Sequence, residues 1–75
     1  MYYQIKSTPA NGWLCYCALS YDESGNRSEF WEPQFTAHPE TAFKFYSIED
    51  ARRYRDTLLN PAYKPYQIYA IESDK

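Results

Sequence analysis

The sequence predicts an α+β fold: a small two-layer sandwich with a mainly antiparallel sheet of four or five strands and one helix on one face. Three observations carry that expectation. Alternating apolar and polar residues begin at Tyr2 and resume after an Asn-Gly turn signal, the pattern of a hairpin. Residues 47–59 are the one stretch with clear helical spacing and a capping residue in front. One helix cannot cover both faces of such a sheet, so one face packs on it and the other stays at least partly open.

The elements follow in order. "YYQIK" (2–6) reads as a strand with Tyr3 and Ile5 on one face and Tyr2, Gln4 and Lys6 on the other. "STPANG" (7–12) is a turn, because Pro9 fixes φ and Asn11-Gly12 tolerates positive φ. "WLCYCALSY" (13–21) returns as the second strand, and polar "DESGNRS" (22–28), centred on Gly25, is the next turn. "EFWEPQF" (29–35) is β-prone but holds Pro33, which lacks a ladder donor and suits only an edge or broken strand. "TAHPET" (36–41) is a loop in which Pro39-Glu40-Thr41 suits a single helical turn.

"AFKFY" (42–46) reads as a short strand with Phe43 and Phe45 on one face. The helix of residues 47–59 starts at Ser47, a natural N-cap, with Glu49 and Asp50 suited to the positive helix N-terminus. Ile48, Ala51, Tyr54 or Arg55, Leu58 and Leu59 form its buried stripe, and Asn60-Pro61 stops it. "YQIYAIE" (66–72) is the last strand, expected to run parallel to residues 42–46 through a right-handed crossover. No repeat or domain boundary interrupts residues 1–75, so a single domain is expected.

Composition narrows the function. Aromatics are 20% of 75 residues, with nine Tyr, four Phe and two Trp, more rings than so small a core encloses. A net charge of −2 gives no basic field for gathering phosphates. The strand-like start leaves no room for a signal sequence, and no apolar run is long enough to span a membrane. A protein of the reducing cytoplasm, with no membrane contact, is therefore expected.

Chemistry-bearing residues are sparse. Cys15 and Cys17, the only cysteines, project from one face of a regular strand with Cα atoms roughly 6.6 Å apart, too far for an unstrained disulfide. Structural zinc needs about four ligands, and beyond these two the chain offers His38 and scattered carboxylates. Trp13, Leu19 and Tyr21 share their face, so both cysteines are expected as small core residues beneath the helix. That parity sends Leu14, Tyr16 and Ala18 to the open side. His38 lies in a polar loop, and both glycines, Gly12 and Gly25, read as turn residues. No catalytic constellation, phosphate loop, metal set or cofactor motif emerges, so the protein is expected not to be an enzyme.

What remains is surface. Tyr16, Trp31, Tyr46 and Tyr69 are the candidate exposed anchors, and Arg52 and Arg53 the candidate charges. Against a binding role for the arginines stands their spacing from Glu49 and Asp56, that of a solvated face laced by ion pairs.

From Ala42 onward, "AFKFYSIEDARRYRDTLLNPAYKPYQIYAIE" resembles a loose pattern of small bacteriophage and prophage proteins, in which a hairpin precedes A-x-x-F-x-S-x-E-x-A, a short helix and a closing strand. Ala42, Phe45, Ser47, Glu49 and Ala51 occupy the pattern. The resemblance implies a compact accessory protein that binds a host protein or complex, a class that includes anti-CRISPR inhibitors. The leading expectation is thus a non-enzymatic protein-binding module acting by occlusion. The alternatives are a single-stranded nucleic-acid binder using an aromatic sheet face, disfavoured by the charge, and a homodimeric accessory protein joined through an edge strand.

Overall fold

A computed structural model describes residues 1–72. Strands β1 (Tyr2–Ser7), β2 (Gly12–Tyr21), β3 (Arg27–Thr36) and β4 (Tyr66–Ile71) form one antiparallel sheet in the order β3-β2-β1-β4. One helical segment, α1 (Ile48–Arg53) continued by a wider turn over Tyr54–Leu58, packs on it. The α+β sandwich is as the sequence predicts.

The hairpin turn closes through Asn11, which takes φ 51°. Gly12 is needed for a different reason than its turn-like context suggests: a Cβ there would lie 2.9 Å from the Phe35 Cβ. At the far end of β2, Asp22 Oδ1 accepts from Ser24 and Asn26 N–H groups, and Gly25 takes φ 83°. Pro33 is tolerated because β3 is a sheet edge, so the strand extends over ten residues through it.

β1 and β2 pair only at Lys6↔Trp13 and Ser7↔Gly12, then separate. The chain of residues 42–46 enters that gap. Phe43 N–H donates to the Leu14 carbonyl at 2.8 Å, while Phe45 exchanges two hydrogen bonds with Tyr3 at 2.7 and 2.9 Å. The expected strand is therefore a single bridge at Phe45 rather than a ladder. Phe45 and β4 both run antiparallel to β1, one on either side, so their directions do agree with the expected parallel relation.

Ser47 caps the helix as predicted, its hydroxyl accepting from Asp50 N–H. Ala51 and Leu59 are buried, with Tyr54 packed against the same core. Ile5, Leu14, Phe45 and Tyr66 complete that core. Strand parity puts Gln4 on the face opposite Ile5, yet Gln4 is 1% exposed because its side-chain amide donates to the Pro39 carbonyl at 2.7 Å. The short 3-10 turn at Pro39–Thr41 thus covers part of the face expected to be open.

The residues after the helix do more than stop it. Asn60 uses every polar group it has: N–H to the Trp31 carbonyl, Nδ2 to Glu32, Oδ1 from Ala62 N–H and its carbonyl from the Tyr66 hydroxyl. Tyr63 donates to the other Glu32 oxygen at 3.0 Å. These bonds tie the β3 edge to the start of β4. Replacing Asn60 by Ala is expected to lower unfolding free energy by about 1–3 kcal/mol, since Glu32 loses a donor in a half-buried site. Urea denaturation of Asn60→Ala measures this directly, and an unchanged midpoint would show that the bonds contribute nothing.

Burial, then the neighbouring Tyr63 and Glu32, push the Tyr66 hydroxyl up to about 12. A raised value means the folded state holds the proton more tightly than the unfolded chain does. That stabilisation is complete below about pH 10, the ordinary tyrosine value, and is lost as pH rises through about 12. Melting temperature should therefore fall across that alkaline window. Tyr66→Phe, which lacks the ionising group, should start lower and fall less; equal falls for the two proteins would contradict the assignment.

Candidate functional site

The faces of β2 beside the β1–β2 gap are set by an irregularity in its pairing with β3. Leu14 pairs with Phe35 and Tyr16 with Gln34, so β2 advances two residues while β3 advances one, a bulge centred on Cys15. One extra residue makes the parity before the bulge the reverse of the parity after it. Leu14, expected on the open side, is accordingly a 1% exposed core residue, and Cys17 packs against the same core three positions on. Cys15 does not join it. Its thiol donates to the Gln34 carbonyl at 3.4 Å near the surface. The two cysteines therefore do not fill the core together, and both are free thiols.

Where β1 and β2 separate, Leu14, Tyr16, Cys17, Phe43, Phe45 and Tyr54 line a shallow apolar cleft that is partly open to solvent. Leu14 and Phe45 form the buried floor, while Tyr16 (59% exposed) and Phe43 (47%) stand at the rim. The rings interlock, with Phe43 4.7 Å and Tyr54 5.0 Å from Phe45 between centroids. Cys17 supplies the only thiol, and burial pushes it up from its ordinary value, so it is neutral at neutral pH. Among the described residues no charged side chain lines the cleft. Its sheltered part has room for little more than a methyl-sized group, far below the roughly 300–1,000 Å³ of small-molecule sites. The chemistry such a cleft offers is desolvation of one apolar group.

The other predicted anchors are dispersed. Tyr69 stacks on Trp13 at 5.0 Å, and Lys6 lies 5.3 Å over that Trp13 ring. Tyr46, 76% exposed, meets Tyr2 edge-on at 6.5 Å, and the Lys44 ammonium lies over Tyr2. Trp31 is half-buried and serves through its backbone, bridging Leu59 and accepting from Asn60. Tyr69 is thus engaged by Trp13, while Tyr16 belongs to the cleft.

On the helix, the predicted partners of the arginines change. Arg53 reaches Asp50 at 3.6 Å, both side chains more than half exposed, and Arg55 forks onto its neighbour Asp56. Arg52 is exposed and forms no ion pair among the described residues. His38 is exposed 3.7 Å from Glu40. No group of three or more His, Cys, Asp or Glu residues is gathered for a metal among the described residues. None of their helices is long and apolar enough to cross a membrane.

Sequence reading found Tyr16 but missed Phe43, Cys17 and Tyr54 as its neighbours. Phe43 and Phe45 were legible as a same-face pair; their meeting with Tyr16 depends on the gap between β1 and β2. Comparison of the chain with family models, curated proteins and solved structures returned no match.

Proposed function

We propose that the protein is a non-enzymatic binding module whose cleft receives one apolar side chain of a partner protein. The observation that carries this reading is the cleft itself: uncharged, floored by buried Leu14 and Phe45 and rimmed by the exposed rings of Tyr16 and Phe43. Aromatic anchors around a small desolvated pocket dominate binding energy at protein interfaces. Arg52 and Arg53 lie exposed on the helix that leads into Tyr54, where they would set charge preference and association rate rather than bulk affinity. The finer reading is a phage-type cytoplasmic inhibitor that occludes a host protein or defence complex. It is supported by small size and by the sequence pattern from Ala42 to Ala51.

The experiment is affinity capture from the source host, followed by titration of any recovered protein against wild type and the Tyr16→Ala/Phe43→Ala pair. Affinity should drop at least about tenfold, or about 1.4 kcal/mol, with little dependence on salt. Equal affinity for the folded double variant would overturn the cleft as the site. Single-stranded oligonucleotide in the same assay separates the alternative. Binding that weakens steeply with salt and is lost in Tyr69→Ala would replace the protein-binding reading with a nucleic-acid one.

A further inference from the structure

The two edges of the sheet are built in opposite ways. β3 carries the usual protections: Arg27, Glu29 and Glu32 along its length, Pro33 within it, and register shifts against β2. Leu59 and Asn60 also cover it at Trp31. β4 has none of these. Its sequence, YQIYAI, contains no charge, no proline and no glycine. It pairs with β1 without a break over six residues, from Ser7↔Tyr66 to Tyr2↔Ile71. Its outer side has no strand partner among the described residues. In an antiparallel ladder alternate residues turn their N–H and C=O away from the neighbour, so β4 presents a regular row of donors and acceptors that meet no strand among the described residues. An uncharged six-residue β-prone segment with an exposed edge is a template for another strand.

We propose that β4 is a self-docking edge, and that two copies of this chain pair through antiparallel β4 strands across a twofold axis normal to the sheet. The twofold explains the composition. Such an axis sets the middle of the strand, near Ile68 and Tyr69, against its own copy, where any charge would meet a like charge. β4 has no charge to repel its copy, and none for a charged partner strand to recognise. Pairing in this way continues both surfaces of the sheet. The Tyr66 and Ile68 side adjoins the core, while Tyr69, stacked on Trp13, extends the opposite row. The strand is about 20 Å long, so the contact falls at the low end of specific interfaces and the dimer is expected to be concentration-dependent. β1 lies between β4 and β2, so the proposal is independent of the cleft reading.

The test is sedimentation velocity on the full chain over a wide concentration range, with hydrogen exchange of residues 66–71 followed over the same range. Wild type should pass from monomer to dimer as exchange in β4 slows. Tyr69→Lys should raise the dissociation constant at least about tenfold, and Tyr69→Phe should stay within about twofold. Exchange on the wild-type protein keeps the test valid should the lysine variant misfold. A monomer at every concentration would overturn the proposal. So would a dimer whose protection maps elsewhere, or one that Tyr69→Lys leaves intact.

Discussion

The separation of β1 from β2 after two residue pairs is the constraint on which the rest of the molecule depends. A sheet cannot leave a gap lined by unmet backbone groups, since an unpaired buried N–H or C=O costs as much as a lost hydrogen bond. Here the gap is filled by the chain itself, with Phe43 bonded to Leu14 on one side and Phe45 to Tyr3 on the other. That insertion delivers Phe45 to the centre of the core and delivers Ser47 to the point where the helix must begin. It also sets Phe43 beside Tyr16, which makes the cleft. The bulge at Cys15 belongs to the same device, because a bulge bends its strand and increases local twist.

A chain of 75 residues has little core to spend on such a gap. Aromatic rings supply the difference. Phe45 contacts both Phe43 and Tyr54, while Phe35 lies 5.4 Å from Tyr63 and 6.4 Å from Tyr66, so two ring clusters span the helix and strand layers. The tyrosines add a second contribution, since Tyr63 and Tyr66 end their rings in hydrogen bonds to Glu32 and Asn60. The surplus of tyrosine seen in the composition is thus partly structural. Tyr16, Tyr21 and Tyr46, each more than half exposed, are the part that structure does not consume.

The proposed binding cleft and the proposed β4 docking edge would place two different recognition chemistries on one small body. On these proposals the cleft would desolvate an apolar side chain, and the edge would offer a ladder of backbone groups to a strand of the same sequence. A module built this way would present its clefts in pairs, and paired clefts raise effective affinity for a partner with repeated sites without any new contact. The absence of charge at both places leaves Arg52 and Arg53, on the helix surface, as the side chains suited to steering.

The sequence by itself determined the elements whose causes are local. The Asn11 turn, the Ser47 cap, the Asn60-Pro61 stop and the edge position of Pro33 all follow from neighbouring residues and are in the fold. Of the expected helix stripe, Ala51 is buried, Ile48 and Leu58 are half-buried, and Leu59 is buried just past the helix end. Tertiary structure decided what strand parity could not. One extra residue at Cys15 reversed the faces of β2, moving Leu14 into the core and parting Cys15 from Cys17. Parity assumes an unbroken ladder, and nothing in GWLCYCALSY marks where the break falls. Likewise AFKFY has the composition of a strand, but only the separation of β1 from β2, a contact between distant parts of the chain, made it a wedge.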